Sequence, residues 1–384
     1  MTRPSISARR RPPALIAPVL LAFLAVALAA CTIEQGTPDS ADTTLSSDTP
    51  AAAPTSTTAA RLAPAKAGEA RGAAVTIAFG GDVHFEGAIE RRLARDPQTT
   101  LGPIATVLRQ ADLAVVNLET AVTTRGSAQD KSFNFRAPAT AFTALRAAGV
   151  DVATMANNHG MDFGPVGLAD SMRAAAAARF PTVGVGRDAD EAFSPYMAKV
   201  NGQRIAVIGA TQVLDDNLAS AWTAGDGKPG LASAYQVGRL LGAVRAARRK
   251  ADTVVVDLHW GKELSPCPIE RQRQLAPRLV DAGADIVVGS HAHVLLGGGY
   301  LDNAYVDYGL GNFVFYSGGG VTARSGVLNL TVRGRAVTKA RWIPASISGG
   351  IPIPLSGAAA DRAVASWKAL RGCTGLAAAP ASYS

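Results

Sequence analysis

Cysteine is scarce. Cys31, Cys267 and Cys373 are the only three in 384 residues, and no two form a C-x-x-C pair, so a thiolate zinc site is not expected. Aromatics make up 6% of the chain, and no basic stripe carries them interleaved, so nothing marks a nucleic-acid surface. The sequence lacks a phosphate-cradling P-loop and a G-x-S-x-G around a serine, which leaves a serine hydrolase without support. No internal repeat is present. The formal charge is +8, but Arg3, Arg9, Arg10 and Arg11 precede the apolar start, and without them the balance is 8 − 4 = +4. Such an excess points to no nucleic acid and is compatible with weak attraction for an anionic polymer.

Long apolar runs are absent except at the N-terminus. Ala14 to Ala30 is an apolar run of about 17 residues, short for a bilayer core of ~30 Å, and it follows Arg9-Arg10-Arg11. It closes on small residues, the pattern of a signal peptide. Leu28-Ala29-Ala30-Cys31 resembles a bacterial lipobox, which predicts a lipoprotein signal over residues 1–30 and acylation of Cys31. An ordinary cleaved signal and an uncleaved anchor are the alternatives. The expected location is the outer face of the bacterial cell membrane, through a lipid anchor. Residues 31–74 are rich in Ser, Thr, Ala and Pro and cannot bury enough apolar surface to offset ordering entropy. They read as a disordered tether that holds the domain off the membrane.

The remainder is long enough for one large α/β domain, expected over 75–350, with a C-terminal helix and tail over 351–384. Short β-branched runs begin at Val75, Leu113, Val150, Thr182, Arg204, Thr253 and Asp285, and helical patterns separate many of them. These are Ala139 to Ala148, Gly167 to Ala178, Ala234 to Lys250 and Ile269 to Ala282. This alternation predicts buried sheets flanked by helices. After Tyr305 the pattern changes. Val314 to Tyr316, Gly326 to Val332 and Ala336 to Trp342 read as hairpin-linked antiparallel strands. A last helix, Ala359 to Leu370, would bury Val364, Trp367 and Leu370.

Only five histidines occur, His84, His159, His259, His291 and His293, each at or just beyond the C-terminal end of an apolar run. In open α/β sheets that edge is where sites are built. The contexts are Asp82-Val83-His84, Asn157-Asn158-His159, Leu258-His259-Trp260-Gly261 and His291-Ala292-His293. In an extended D-x-H or H-x-H segment both side chains point to one side. Asn117, Glu119, Asn158, Asp162 and Glu263 occupy matching places. A mixed His, carboxylate and Asn set suits one or two divalent ions such as Mn, Fe, Zn or Mg. Two such ions would activate water and polarise a scissile group.

These motifs, in order with Gly283-Ala284-Asp285 and Leu310-Gly311-Asn312-Phe313, resemble the CapA family of poly-γ-glutamate capsule synthesis proteins over roughly Val75 to Tyr316. The resemblance implies a four-layer α/β/β/α sandwich of metallophosphoesterase type. By it, Asp82, His84 and His293 would hold one metal, and Asn158, His259 and His291 the other. Glu119 would stand near the bridging position, with Asn117 and Glu263 as further ligand candidates. His159 would be the general acid or transition-state donor, with Asp162 in the catalytic set beside it. The G-D-x-x-[DN] segment usual in phosphoesterases is replaced by Asn117-x-Glu119, and an apolar residue is common in the CapA family where His84 stands.

The expected activity is a metal-dependent hydrolase or transferase on an anionic envelope polymer, which the resemblance makes poly-γ-glutamate. Capsule-synthesis membrane proteins are the partners it implies. Two alternatives stay open: a phosphoesterase on a phospho-sugar, nucleotide or lipid, and a non-catalytic accessory that binds nascent polymer. Arg136, in Phe133-Asn134-Phe135-Arg136, would pair with a substrate carboxylate or else cover apolar surface with its stem. With Cys31 acylated, Cys267 and Cys373 would pair under oxidising conditions, tying the C-terminal helix to the loop after His259.

Overall fold

A computed structural model describes residues 72–316 and 319–381. The expected signal segment, Cys31 and nearly all of the expected tether lie outside the described residues. Among the described residues no helix is long and apolar enough to cross a membrane.

The larger sheet runs in the order Ile351–Pro354, Ala336–Ser348, Arg324–Arg333, Val75–Val83, Leu113–Leu118, Val152–Thr154 and Thr182–Val183. The smaller runs Gly298–Leu301, Ala304–Asp307, Ile286–Ser290, Thr253–His259, Gln203–Thr211 and Tyr196–Val200. Alternate residues divide three cores. Ile77, Phe79, Val115 and Val152 meet Ile205, Val207, Val255 and Val288 between the sheets. Ala78, Val116 and Ala153 pack outward on Leu93, Phe142 and Leu168, which lie on the helices Ala88–Arg95, Thr140–Ala148 and Gly164–Ala178. Val254, Val256 and Val287 pack outward on Leu240, Val244 and Leu279 of the helices Val237–Arg248 and Glu270–Ala282. The result is the four-layer α/β/β/α sandwich. Each fully buried Val, Ile, Leu or Phe contributes roughly 1.5–3 kcal/mol, so the three cores are the main support of the sheet edge that carries the site.

Two expectations about the C-terminal third need correction. Asn312–Val314 is not part of an antiparallel hairpin; it pairs parallel with the end of Val75–Val83, Asp82 opposite Asn312. The hairpin is formed by Arg324–Arg333 and Ala336–Ser348. A boundary at residue 350 also falls inside the larger sheet, because Ile351–Pro354 pairs with Ala336–Ser348. The last helix spans Gly357–Ala369 and buries Trp367, whose ring stacks on Trp342 at 5.3 Å, while Val364 and Leu370 are half-buried. Cys267 and Cys373 form a disulfide with Cα atoms 5.8 Å apart, joining the chain beyond that helix to the loop after His259.

Candidate metal centre

Five strands of the two sheets end at one place and deliver the site. Asp82 is the next-to-last residue of the first strand. Gly81 makes that possible: a Cβ there would lie 1.9 Å from the Gly311 carbonyl oxygen, the same atom that accepts from the Asp82 N–H at 3.0 Å. Asn117 and Glu119 leave Leu113–Leu118, and Asn157, Asn158 and His159 follow Val152–Thr154. His259 ends Thr253–His259, and His291 and His293 follow Ile286–Ser290.

Glu119 is the centre of this group. It shares one cluster with His259 and His291 and another with Asp82 and His293, ligand atoms in each lying within 4.8 Å of one another. It is fully buried, and neither carboxylate oxygen has a hydrogen-bond partner. His291 Nδ1 is likewise buried and unpartnered. Burying a carboxylate without partners costs several kcal/mol unless a cation answers it. Burial first, and then Asp82, push the Glu119 carboxyl well above its ordinary range. Burial opposes charge on His293, but Glu119 and Asp82 outweigh it and lift that imidazole up to about 10. Orphaned carboxylate oxygens among imidazoles therefore fit a divalent metal.

The ligand candidates are held from behind. His259 Nε2 faces Asn158 Oδ1 at 2.7 Å and Glu119 Oε1 at 3.4 Å, while its Nδ1 lies 3.0 Å from Ser290 Oγ. Fixing the rear nitrogen of a histidine in this way sets the direction of the front one. His293 Nδ1 lies 2.8 Å from Asn312 Oδ1, and the His291 N–H points at the Asp82 carboxylate, 3.2 Å from Oδ2. His291 and His293 converge, but not on an extended backbone: both are left-handed, with φ of 92° and 55°. Such conformations cost non-glycine residues of order 1–3 kcal/mol each and persist where their surroundings enforce them.

Two predicted ligands are placed differently. His84 does not join Asp82 in the cluster; it lies just beyond the end of the first strand, Val75–Val83. Its ring nitrogens face the Glu86 and Tyr316 N–H groups, each at 3.0 Å, and its ring lies among Phe135, Phe315 and Tyr316. Asn117 touches the cluster through its amide nitrogen, 2.8 Å from Asp82 Oδ1, while its oxygen accepts from Asn157 Nδ2 at 2.9 Å. With its oxygen so committed it organises ligands. Glu263 is exposed and meets the cluster at its rim, within reach of His291 and His293.

His159 and Asp162 form a pair, Nδ1 to Oδ2 at 2.6 Å, with the Phe135 N–H donating to the same oxygen at 2.6 Å. The Phe135 ring stacks on His159 at 4.0 Å. Arg136 stands outside the cluster, exposed, its guanidinium 3.5 Å from the centre of the Phe163 ring. Sequence reasoning missed Asn157, Ser290, Asn312, Phe135 and Lys131 as site residues. The first three adjoin or lie within the quoted motifs, whereas nothing in the sequence marked Lys131.

A model of the family described as bacterial capsule synthesis protein PGA_cap matches residues 76–317, more than half of the chain. The chain is 33% identical over 232 residues to the capsule biosynthesis protein CapA of Bacillus anthracis, covering 60% of this chain and 56% of that one. It is 32% identical over 252 residues to the PGA biosynthesis protein CapA of Bacillus subtilis, covering 65% of each. The chain thus spans less than two thirds of the length of either relative. Among solved structures, a novel phosphatase from Mycoplasma pneumoniae aligns with a TM-score of 0.45 at 15% identity, covering 72% of this chain and 94% of that one.

Proposed function

The chain belongs to the bacterial capsule synthesis protein family, PGA_cap, and from that membership we propose that it is a metal-dependent hydrolase or transferase acting on an amide of poly-γ-glutamate or a like anionic polymer. The observation that carries the reading is the fully buried Glu119 carboxylate, unpartnered between two groups of ligand atoms. Asp82, Glu119 and His293 would hold one divalent ion, and Glu119, Asn158, His259 and His291 a second. When bound, the ions supply Lewis-acid polarisation of the scissile group.

The chain's own residues do the rest. Asp162 accepts a short hydrogen bond from the His159 Nδ1–H and so leaves Nε2, which has no hydrogen bond among the described residues, as the bare nitrogen that takes a proton from the attacking nucleophile and then passes it to the leaving group. Asn117 and Asn157 fix Asp82 by a buried chain of amides. Arg136, exposed and braced on Phe163, offers its fork to a polymer carboxylate. Leu28-Ala29-Ala30-Cys31 supports placement on the outer face of the membrane, through acylation of Cys31, beside the membrane proteins that make the polymer.

Purified protein loaded with Mn²⁺ or Zn²⁺ tests the reading by kcat/KM on γ-glutamyl oligomers and on a generic phosphodiester. Turnover of the oligomer, weakened in Arg136→Ala, is the expected result. Turnover confined to the phosphodiester would make it a phosphoesterase, and turnover of neither a polymer-binding accessory.

A further inference from the structure

We propose that Lys131 is a positioning residue for the His159–Asp162 pair, locking the Asp162 carboxylate and the backbone beside His159 so that the imidazole keeps one tautomer and one orientation. The role rests on the reading of His159 as the group that takes a proton at Nε2 and passes it to the leaving group.

Lys131 is a lysine with only 5% of its side chain exposed. A buried ammonium needs partners, and this one has three. Nζ lies 3.2 Å from Asp162 Oδ1 and 3.2 Å from Asp215 Oδ2, and it donates to the Asn158 carbonyl oxygen. The Trp222 ring closes the site, 5.2 Å from Nζ. The geometry is divided with a purpose. Asp162 Oδ2 is occupied by His159 Nδ1 and the Phe135 N–H, and Lys131 takes the other oxygen. With two hydrogen bonds at Oδ2 and the ammonium in ion-pair contact with Oδ1, the carboxylate is hindered from rotating about its last bond, which keeps Oδ2 in line with the imidazole. The contact to Asn158 O pins the peptide that enters His159, so one ammonium fixes both the ring's partner and the ring's own backbone.

The same lysine joins three distant stretches of chain. Its own loop is tied down by the Gln129 N–H donating to the Asp162 carbonyl at 2.9 Å and by Asn217 Nδ2 donating to the Asp130 carbonyl at 3.0 Å. Asp215 immediately precedes the helix Asp216–Trp222, which supplies the tryptophan. A lysine that merely filled space would satisfy these carboxylates without governing the imidazole, and that difference is measurable.

The test is the side-chain ¹H–¹⁵N spectrum of His159 in ¹⁵N-labelled, Zn²⁺-loaded full-length chain in detergent, assigned with His159→Gln. Wild type should show one form, protonated at Nδ1 and bare at Nε2. Lys131→Met should shift both nitrogens toward averaged values, and Lys131→Arg should restore the single form. Should Lys131→Met fail to fold, K131M/D215N removes the lysine together with one of the carboxylates it neutralises and is read in the same way. A His159 spectrum in the folded Met variant, single or double, that matches wild type would overturn the proposal. Absence of γ-glutamyl turnover would instead count against the proposed reaction and leave the tautomer result standing.

Discussion

Glu119 Oε1 lies 3.4 Å from His259 Nε2, with both side chains wholly buried and no hydrogen bond to either oxygen of Glu119. Without a cation this contact is a cost to the fold; with one it becomes a ligand pair. Ion binding to the native state should therefore raise Tm, and a ligand at 100 times its Kd adds about 2.7 kcal/mol. We expect Mn²⁺ or Zn²⁺ to stabilise wild type in calorimetry and to leave a Glu119→Gln, His291→Ala double variant unmoved. An equal rise in both would place the ion elsewhere.

His84 offers a sharper contrast. Its nitrogens face the backbone N–H groups of Glu86 and Tyr316, outside the converging set. His84→Phe should keep the metal content of wild type, whereas Asp82→Asn should lose metal. Stability of His84→Phe should fall by about 1 kcal/mol, since a partly buried backbone N–H loses the one imidazole nitrogen that can accept from it. Equal metal loss in the two variants would return His84 to the ligand set.

The Cys267–Cys373 bridge closes 106 residues of chain. On the chain-entropy account a loop of that length is worth about 4–5 kcal/mol. The Cys267→Ser, Cys373→Ser double variant should unfold at correspondingly lower urea. Wild type unfolding at the same urea with and without dithiothreitol would mean that the bridge contributes nothing to stability.

Asp307 lies in the smaller sheet, fully buried, and burial pushes its carboxyl up to about 7 against the opposing Gly309 N–H. The folded state then keeps a proton that the unfolded chain releases above its ordinary value of 3.8. This contribution is complete below that value and is lost as pH rises through 7, at up to about 1.4 kcal/mol per unit. Asp307→Asn cannot titrate. Its stability relative to wild type should therefore increase from pH 4 to pH 8 in urea unfolding. A difference that does not vary with pH would show that Asp307 is ionised in both states or in neither.

Buried sheets flanked by helices, and the edge where the strands end, were legible in the chain. Runs such as Val75 to Phe79 and Thr253 to Leu258 are β-branched and apolar, helical periodicity separates many of them, and both signals are local. They placed His259 and His291 at strand ends because a strand's end is legible wherever its apolar run stops. Direction and partnership were decided only in three dimensions. His84 lies past the end of its strand with its ring nitrogens facing the Glu86 and Tyr316 N–H groups, and left-handed backbone at His291 and His293 brought about a convergence that extended alternation had been expected to supply. Asn117 became an organiser because Asn157, 40 residues away, claimed its oxygen. Lys131 reaches the site through contacts with residues distant in sequence, and no local pattern marks a residue whose role is set by what folds against it.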